Sequence, residues 1–167
     1  EIFLSLSILF QLIFNSRLIN NLNFNFPLID KETFWQTFFI LGCVILLLFN
    51  LKIEGMFSTF LFLNDESGRI VKIIFLLSSI VGLFTIFKSF SLQNLNFFEY
   101  FSIFLLSVLA LMLLVSCSDL ISGYLVIEMQ ALCFYILASF RRDSAFSTEA
   151  GLKYFISGAF ISGVFLF

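Results

Sequence analysis

Histidine is missing from this 167-residue chain altogether. With it go the commonest metal ligand and the usual general base. Charge is scarce too: Asp, Glu, Lys and Arg make up 12% of the residues, about half the ~25% of an ordinary soluble domain. The net charge of −2 and the lack of any Lys/Arg run exclude nucleic acid as a partner class. Cys43, Cys117 and Cys133 form no CxxC pair and lie within or at the edge of apolar segments, so they read as buried thiols rather than a disulfide or metal framework. They cannot furnish the ligand set of an iron–sulfur or haem site. Proline and tryptophan occur once each, as Pro27 and Trp35.

What the chain has instead is apolar bulk: 60% hydrophobic residues, a mean hydropathy of +1.09 and 27 phenylalanines. This material comes in blocks of bilayer length. Runs such as ILGCVILLLF and FLLSSIVGLF do not alternate apolar with polar, which excludes a membrane β-barrel. The expected fold is an all-α polytopic membrane bundle, a single domain over 1–167 with about six transmembrane helices at roughly 2–19, 34–51, 70–89, 99–117, 119–140 and 149–167. Short connections make consecutive helices antiparallel neighbours. The Asn-rich stretch around Pro27 reads as the first loop and NDESGR as the second. Arg17, Lys31, Lys88, Arg141 and Arg142 outnumber Lys52, Arg69 and Lys72 across the loops, which places the odd-to-even loops on the cytoplasmic or matrix side. The Phe and Asn content fits an A+T-rich, organellar coding genome.

Glu128 is the residue this pattern makes conspicuous. It stands near the middle of DLISGYLVIEMQALCFYILASF, where a carboxylate costs at least ~2.5–3.5 kcal/mol without a partner or water. A chain keeps such a group where it handles protons or ions, or where it locks helices together. The helical step of 100° puts Tyr124 and Tyr135 on the face of Glu128, a stripe able to hold ordered water and pass protons. Asp119 falls half a turn around and at the start of the helix, where it is expected to cap free N–H groups. In the next segment Lys153 has Glu149 at i−4 and Ser157 at i+4. That face is either a surface ion pair or the mouth of a hydrated path. Helix rise separates Glu128 and Lys153 by roughly 12 Å in depth, too far for a direct salt bridge. Small-xxx-small pairs at Gly158–Ser162, Ala159–Gly163 and Ser78–Gly82 point to close helix packing.

YLVIEMQALCFYIL around Glu128 and STEAGLKYFISGAF around Lys153 carry a resemblance. They are similar to the antiporter-like membrane subunits of respiratory complex I (NADH:ubiquinone oxidoreductase), through an IE-x-Q-like motif in helix five and EA-x-x-KY at the start of helix six. The resemblance covers residues 99–167; the first three helices match in number and hydropathy. It implies a membrane-arm subunit contributing to proton translocation coupled to NADH:ubiquinone electron transfer. Glu128 and Lys153 would be the proton-relay residues, with Tyr124, Tyr135, Glu149 and Ser157 in support. It further implies no cofactor in this chain, the NADH, flavin, iron–sulfur clusters and ubiquinone of the whole complex being bound elsewhere. The implied location is the mitochondrial inner membrane. The implied neighbours are membrane lipids, chain 4, chain 4L, and a companion chain carrying the family's C-terminal helices, which are expected to supply a lysine partner for Glu128. The alternatives are a subunit of a multi-subunit cation/proton antiporter and a structural membrane anchor.

Overall fold

A computed structural model describes residues 1–21, 26–50, 66–91, 98–141 and 143–166, with side chains described except at 16–21, 26–30, 90, 91 and 98. The ordered elements are six helices: α1 (Ile2–Asn21), α2 (Phe26–Asn50), α3 (Glu66–Ser91), α4 (Phe98–Ser116), α5 (Leu120–Ala138) and α6 (Ala145–Leu166). Four contain stretches long and apolar enough to cross a bilayer: Lys31–Asn50, Glu66–Ser89, Glu99–Ser116 and Leu120–Ala138. In α1 the apolar stretch is the shorter Ile2–Asn15. In α6 the charges of Glu149 and Lys153 and a scatter of Ser and Gly dilute the hydropathy of a helix that is otherwise long enough. The chain is therefore a multi-pass membrane bundle.

Three helix starts move outward from the sequence expectation: α3 begins at Glu66, four residues early, so that ESGR of the expected second loop forms its first turn. α2 begins at Phe26, eight residues early, because Pro27 lies in its first turn instead of in a loop. There its missing N–H is one the helix leaves unpaired anyway and its fixed φ suits helix entry. α6 begins at Ala145, which puts Lys153 two turns inside the helix rather than one. Lys52 and Arg142, on which the charge-bias argument partly rested, lie outside the described residues.

Helices α1 to α4 form one four-helix unit. α4 touches every other helix of the unit, and α2 contacts α1, α3 and α4, while α1 and α3 occupy opposite corners. Each contributes a stripe at helical spacing: Leu4 and Ile8; Phe34, Leu41 and Val44; Leu76 and Leu83; Phe101, Leu105, Val108, Leu109 and Met112. Phe34 is the hub of an aromatic cluster, stacked on Phe87 at 4.2 Å and edge-on to Phe84 at 5.6 Å and Phe101 at 6.3 Å. Beyond this unit α5 packs on α4, and among the described helices α6 packs on α5 alone.

The two diagonal corners are tied at one end of the bundle. Lys72 Nζ donates to Glu1 Oε1 at 2.7 Å, and the Ser116 hydroxyl, at the end of α4, reaches the same oxygen at 2.6 Å. Lys72 is the more enclosed partner, 7% exposed against 27% for Glu1. Burial pushes the Glu1 carboxyl up, but the hydrogen bonds from Lys72 and Ser116 and the lysine's charge outweigh it, leaving the pKa below its ordinary 4.5. A depressed carboxyl contributes stability that is present above its unfolded value and is lost as pH falls through the folded one. Thermal melts of the membrane assembly should therefore hold this contribution above about pH 4.5 and lose it below. Lys72→Met should lower stability at neutral pH by roughly 1.5–3 kcal/mol and reduce that pH-dependent component. An unchanged acid limb in Lys72→Met would show that the pair contributes nothing.

Candidate functional site

Residues Cys117–Asp119 turn the chain from α4 into α5. Asp119 holds the N-cap position with extended dihedrals (φ −100°, ψ 145°), but its side chain makes no cap hydrogen bond. The expected carboxylate cap is not formed. The residue contributes its backbone carbonyl instead, accepting from Gly123 N at 2.9 Å and from Ser122 Oγ at 2.9 Å, while its side chain faces outward. Arg141 follows the other end of α5, so the two charges flank opposite ends of a 19-residue helix, as expected. There the last turn of α5 is satisfied by Ser139 N on Tyr135 O at 3.1 Å and by Ser147 Oγ, from the next helix, on Ala138 O at 2.9 Å.

α5 has two faces with different duties. Val126 and Cys133, seven residues apart, are buried. Roughly opposite lie Tyr124, Glu128 and Tyr135, and both tyrosines meet α6. Tyr124 stacks on Phe165 at 6.1 Å, and Tyr135 stands edge-on to Tyr154 at 5.1 Å and Phe155 at 5.6 Å. These contacts fix the antiparallel register, which puts Glu128 level with Ile161 and Ser162 and Lys153 level with Ile136 and Leu137. The axial offset between the two charges is then about 12 Å, as the sequence implied.

Glu128 is half-buried, less enclosed than its mid-helix position led us to expect, because only α6 covers that face. It has no hydrogen-bond or ion-pair partner among the described residues. Lys153 is paired instead with Glu149 at 2.7 Å, the two 74% and 59% exposed. Ser157, also exposed, returns its hydroxyl to Tyr154 O at 3.0 Å and links neither charge to the other. Tyr124, Glu128 and Tyr135 thus line one helix–helix seam, while Glu149, Lys153 and Ser157 do not enter a hydrogen-bonded connection with it. All three cysteines are free thiols, Cys133 buried and the others partly so. Among the described residues no group of His, Cys, Asp or Glu could hold a metal ion.

Small residues set the approach of α6. A Cβ on Gly158 would collide with the Tyr135 hydroxyl and lie 2.7 Å from the ring carbon that carries it, and one on Gly151 would collide with the Ser139 Cβ. Of the small-xxx-small pairs, Gly158 makes a close approach; Gly163 faces open space, and Gly82 meets Phe104 at an ordinary 3.8 Å. Gly151 was missed: its partner Ser139 lies across the turn, outside any i+4 pattern. Lys72 was also missed as a buried group. The signal was there, since it shares the stripe of Leu76, Ser79 and Leu83, all buried.

A helical membrane protein with a half-buried carboxylate, without a partner among the described residues, in the seam between α5 and α6 is the class these features define. Comparison agrees with that class. Residues 116–167 match the family described as NADH:quinone oxidoreductase/Mrp antiporter, TM. The chain is 45% identical over 103 residues to NADH-ubiquinone oxidoreductase chain 2 of Marchantia polymorpha, covering 62% of this chain and 21% of the relative. It is 41% identical over 117 residues to the protein of that name from Oenothera berteroana, covering 70% and 24%. With NADH-quinone oxidoreductase subunit N of Beijerinckia indica it shares 36% identity over 129 residues, covering 77% and 27%. Through α5 and α6 the chain is similar to this antiporter-like membrane family. It spans about a quarter of the length of the curated relatives it matches.

Proposed function

We propose that the chain works as part of an antiporter-like subunit in the membrane arm of a respiratory NADH:quinone oxidoreductase. There it contributes to proton translocation driven by electron transfer in other subunits. The observation that carries this reading is Glu128: an acidic group at mid-span, in the α5–α6 seam, with no counter-charge among the described residues. An ionised carboxylate at that depth requires a cation or water, so its charge state is open to control by whatever group approaches the seam. Two phenols on the same face flank Glu128: the Tyr135 hydroxyl can order water between it and the level of Lys153, and Tyr124 stands on the other side of Glu128. The approaching cation is a lysine from helices of the same fold outside the described residues, carried by a companion chain or by more of the same polypeptide. Protonation of Glu128 and proton release from that lysine would alternate. Chain 4 and chain 4L are the neighbours we propose, and the mitochondrial inner membrane is the location, in keeping with the plant and liverwort relatives.

Purification of the native membrane assembly tests the assignment. Co-migration of this polypeptide with NADH dehydrogenase activity is expected. Migration with a flavin-free cation exchanger would assign it to the antiporter branch of the same family. The relay role of Glu128 has its own test, given in the Discussion.

A further inference from the structure

Gln11 and Asn15 stand one turn apart on α1, 1% and 0% exposed, continuing the stripe of Leu4 and Ile8 into the four-helix unit. Both polar atoms of each carboxamide, Gln11 Oε1 and Nε2 and Asn15 Oδ1 and Nδ2, lack a hydrogen-bond partner among the described residues. A buried amide left dry is strongly unfavourable, and two in succession serve no apolar packing purpose that leucine would not serve better.

Their surroundings indicate the kind of ligand. Since Ser116 is level with Glu1, Asn15 is level with Ser102 of the antiparallel α4. The Phe34–Phe101 contact places the same level between Thr33 and Thr37 of α2. Ser102, Thr33 and Thr37 are all buried. The Thr37 hydroxyl donates to Phe34 O at 2.7 Å, which leaves its lone pairs to accept. Among the described side chains, the charged ones nearest this level, Lys31, Glu32, Lys88 and Glu99, are exposed. Toward Glu1 and Lys72 the way is closed by Leu4, Ile8, Leu109 and Met112. The described lining is therefore polar and uncharged and is separated from the ion pair at the bundle end, and each carboxamide offers both donors and acceptors. A cation would use the carbonyl oxygens and leave both NH2 groups unpaired; water satisfies both kinds.

We infer that Gln11 and Asn15 form a binding site for internal water, about two molecules, that joins α1 to α2 and α4. It is separate from the Glu128 seam, which lies across α4. X-ray hydroxyl-radical footprinting of the assembled membrane complex tests this, because radicals born on a bound water oxidise the side chains beside it. Phe34 and Phe101, 4% and 1% exposed, should be oxidised in the wild type. That oxidation should fall several-fold in Gln11→Leu/Asn15→Leu, and Asn15→Leu alone should lower the Tm by stranding the water. Phe34 and Phe101 left unmodified in the wild type, or a double Leu variant that melts higher, would overturn the site as dry. A Tm that rises specifically with Na+ or K+ over choline would overturn water in favour of an ion. Should the variants fail to assemble, wild-type labelling decides alone.

Discussion

Glu128→Gln should leave the membrane assembly intact while reducing proton pumping by about 10²-fold, the lower end of what loss of a positioned proton-transfer group costs. The amide keeps the shape of the carboxylate and can still hydrogen-bond, but it cannot take up and release a proton. Because Glu128 has no partner among the described residues, no ion pair seen within them is broken, and the variant should still assemble. Pumping and coupled NADH:quinone turnover, measured in reconstituted vesicles, decide the matter. Full pumping in a correctly assembled Gln variant would reduce Glu128 to a packing residue and leave the chain as a structural anchor. The exposed Glu149–Lys153 pair makes a useful contrast. An isolated surface pair of this kind is worth little, so Glu149→Gln should change stability by less than about 0.5 kcal/mol.

Gly158→Ala should have the largest effect on packing. Its new methyl meets the Tyr135 hydroxyl first and then the ring carbons at 2.7 and 3.2 Å, so α6 must move away or Tyr135 must turn. Inserting a methylene-sized group into such a contact costs about 1–3 kcal/mol. Tyr135→Phe removes the atom hit first and should recover part, not all, of the loss, since the ring carbons remain too close. A double-mutant cycle on the melting of the assembly measures that coupling. Additive effects would mean that Tyr135 and Gly158 do not meet. Pumping should fall in Gly158→Ala as well, because the displaced tyrosine belongs to the seam that holds Glu128.

The parts of this arrangement legible in the sequence are those set by local spacing. Tyr124, Glu128 and Tyr135 share a face because their separations are close to whole helical turns, and Glu149 meets Lys153 because i and i+4 always can. Pro27 misled, since proline both breaks helices and opens them, and only the surrounding chain decides which. Asp119 misled in the same way: the position was right for a cap, but the residue's own backbone carbonyl took the local donors. The Glu1–Lys72–Ser116 knot joins residues 71 and 115 positions apart, a relation that no local pattern encodes. Gln11 and Asn15 were legible in principle, because each continues an otherwise apolar stripe. Their burial depends on α2 and α4 closing over α1.

The order of contacts has a mechanical consequence. α6 touches α5 and no other described helix, and α5 touches the four-helix unit through α4. Among the described helices, a push on α6 therefore reaches the four-helix unit by way of α5, entering at two tight contacts, Gly151 on Ser139 and Gly158 on Tyr135. Both contacts lie at the C-terminal half of α5, while Tyr124 and Phe165 meet more loosely at the other end. Tilting of α6 would then pivot about its own N-terminal half and open or narrow the seam beside Glu128. Among the described helices, the one that carries the carboxylate is thus also the lever between α6 and the bundle, so movement at that edge changes the space beside Glu128.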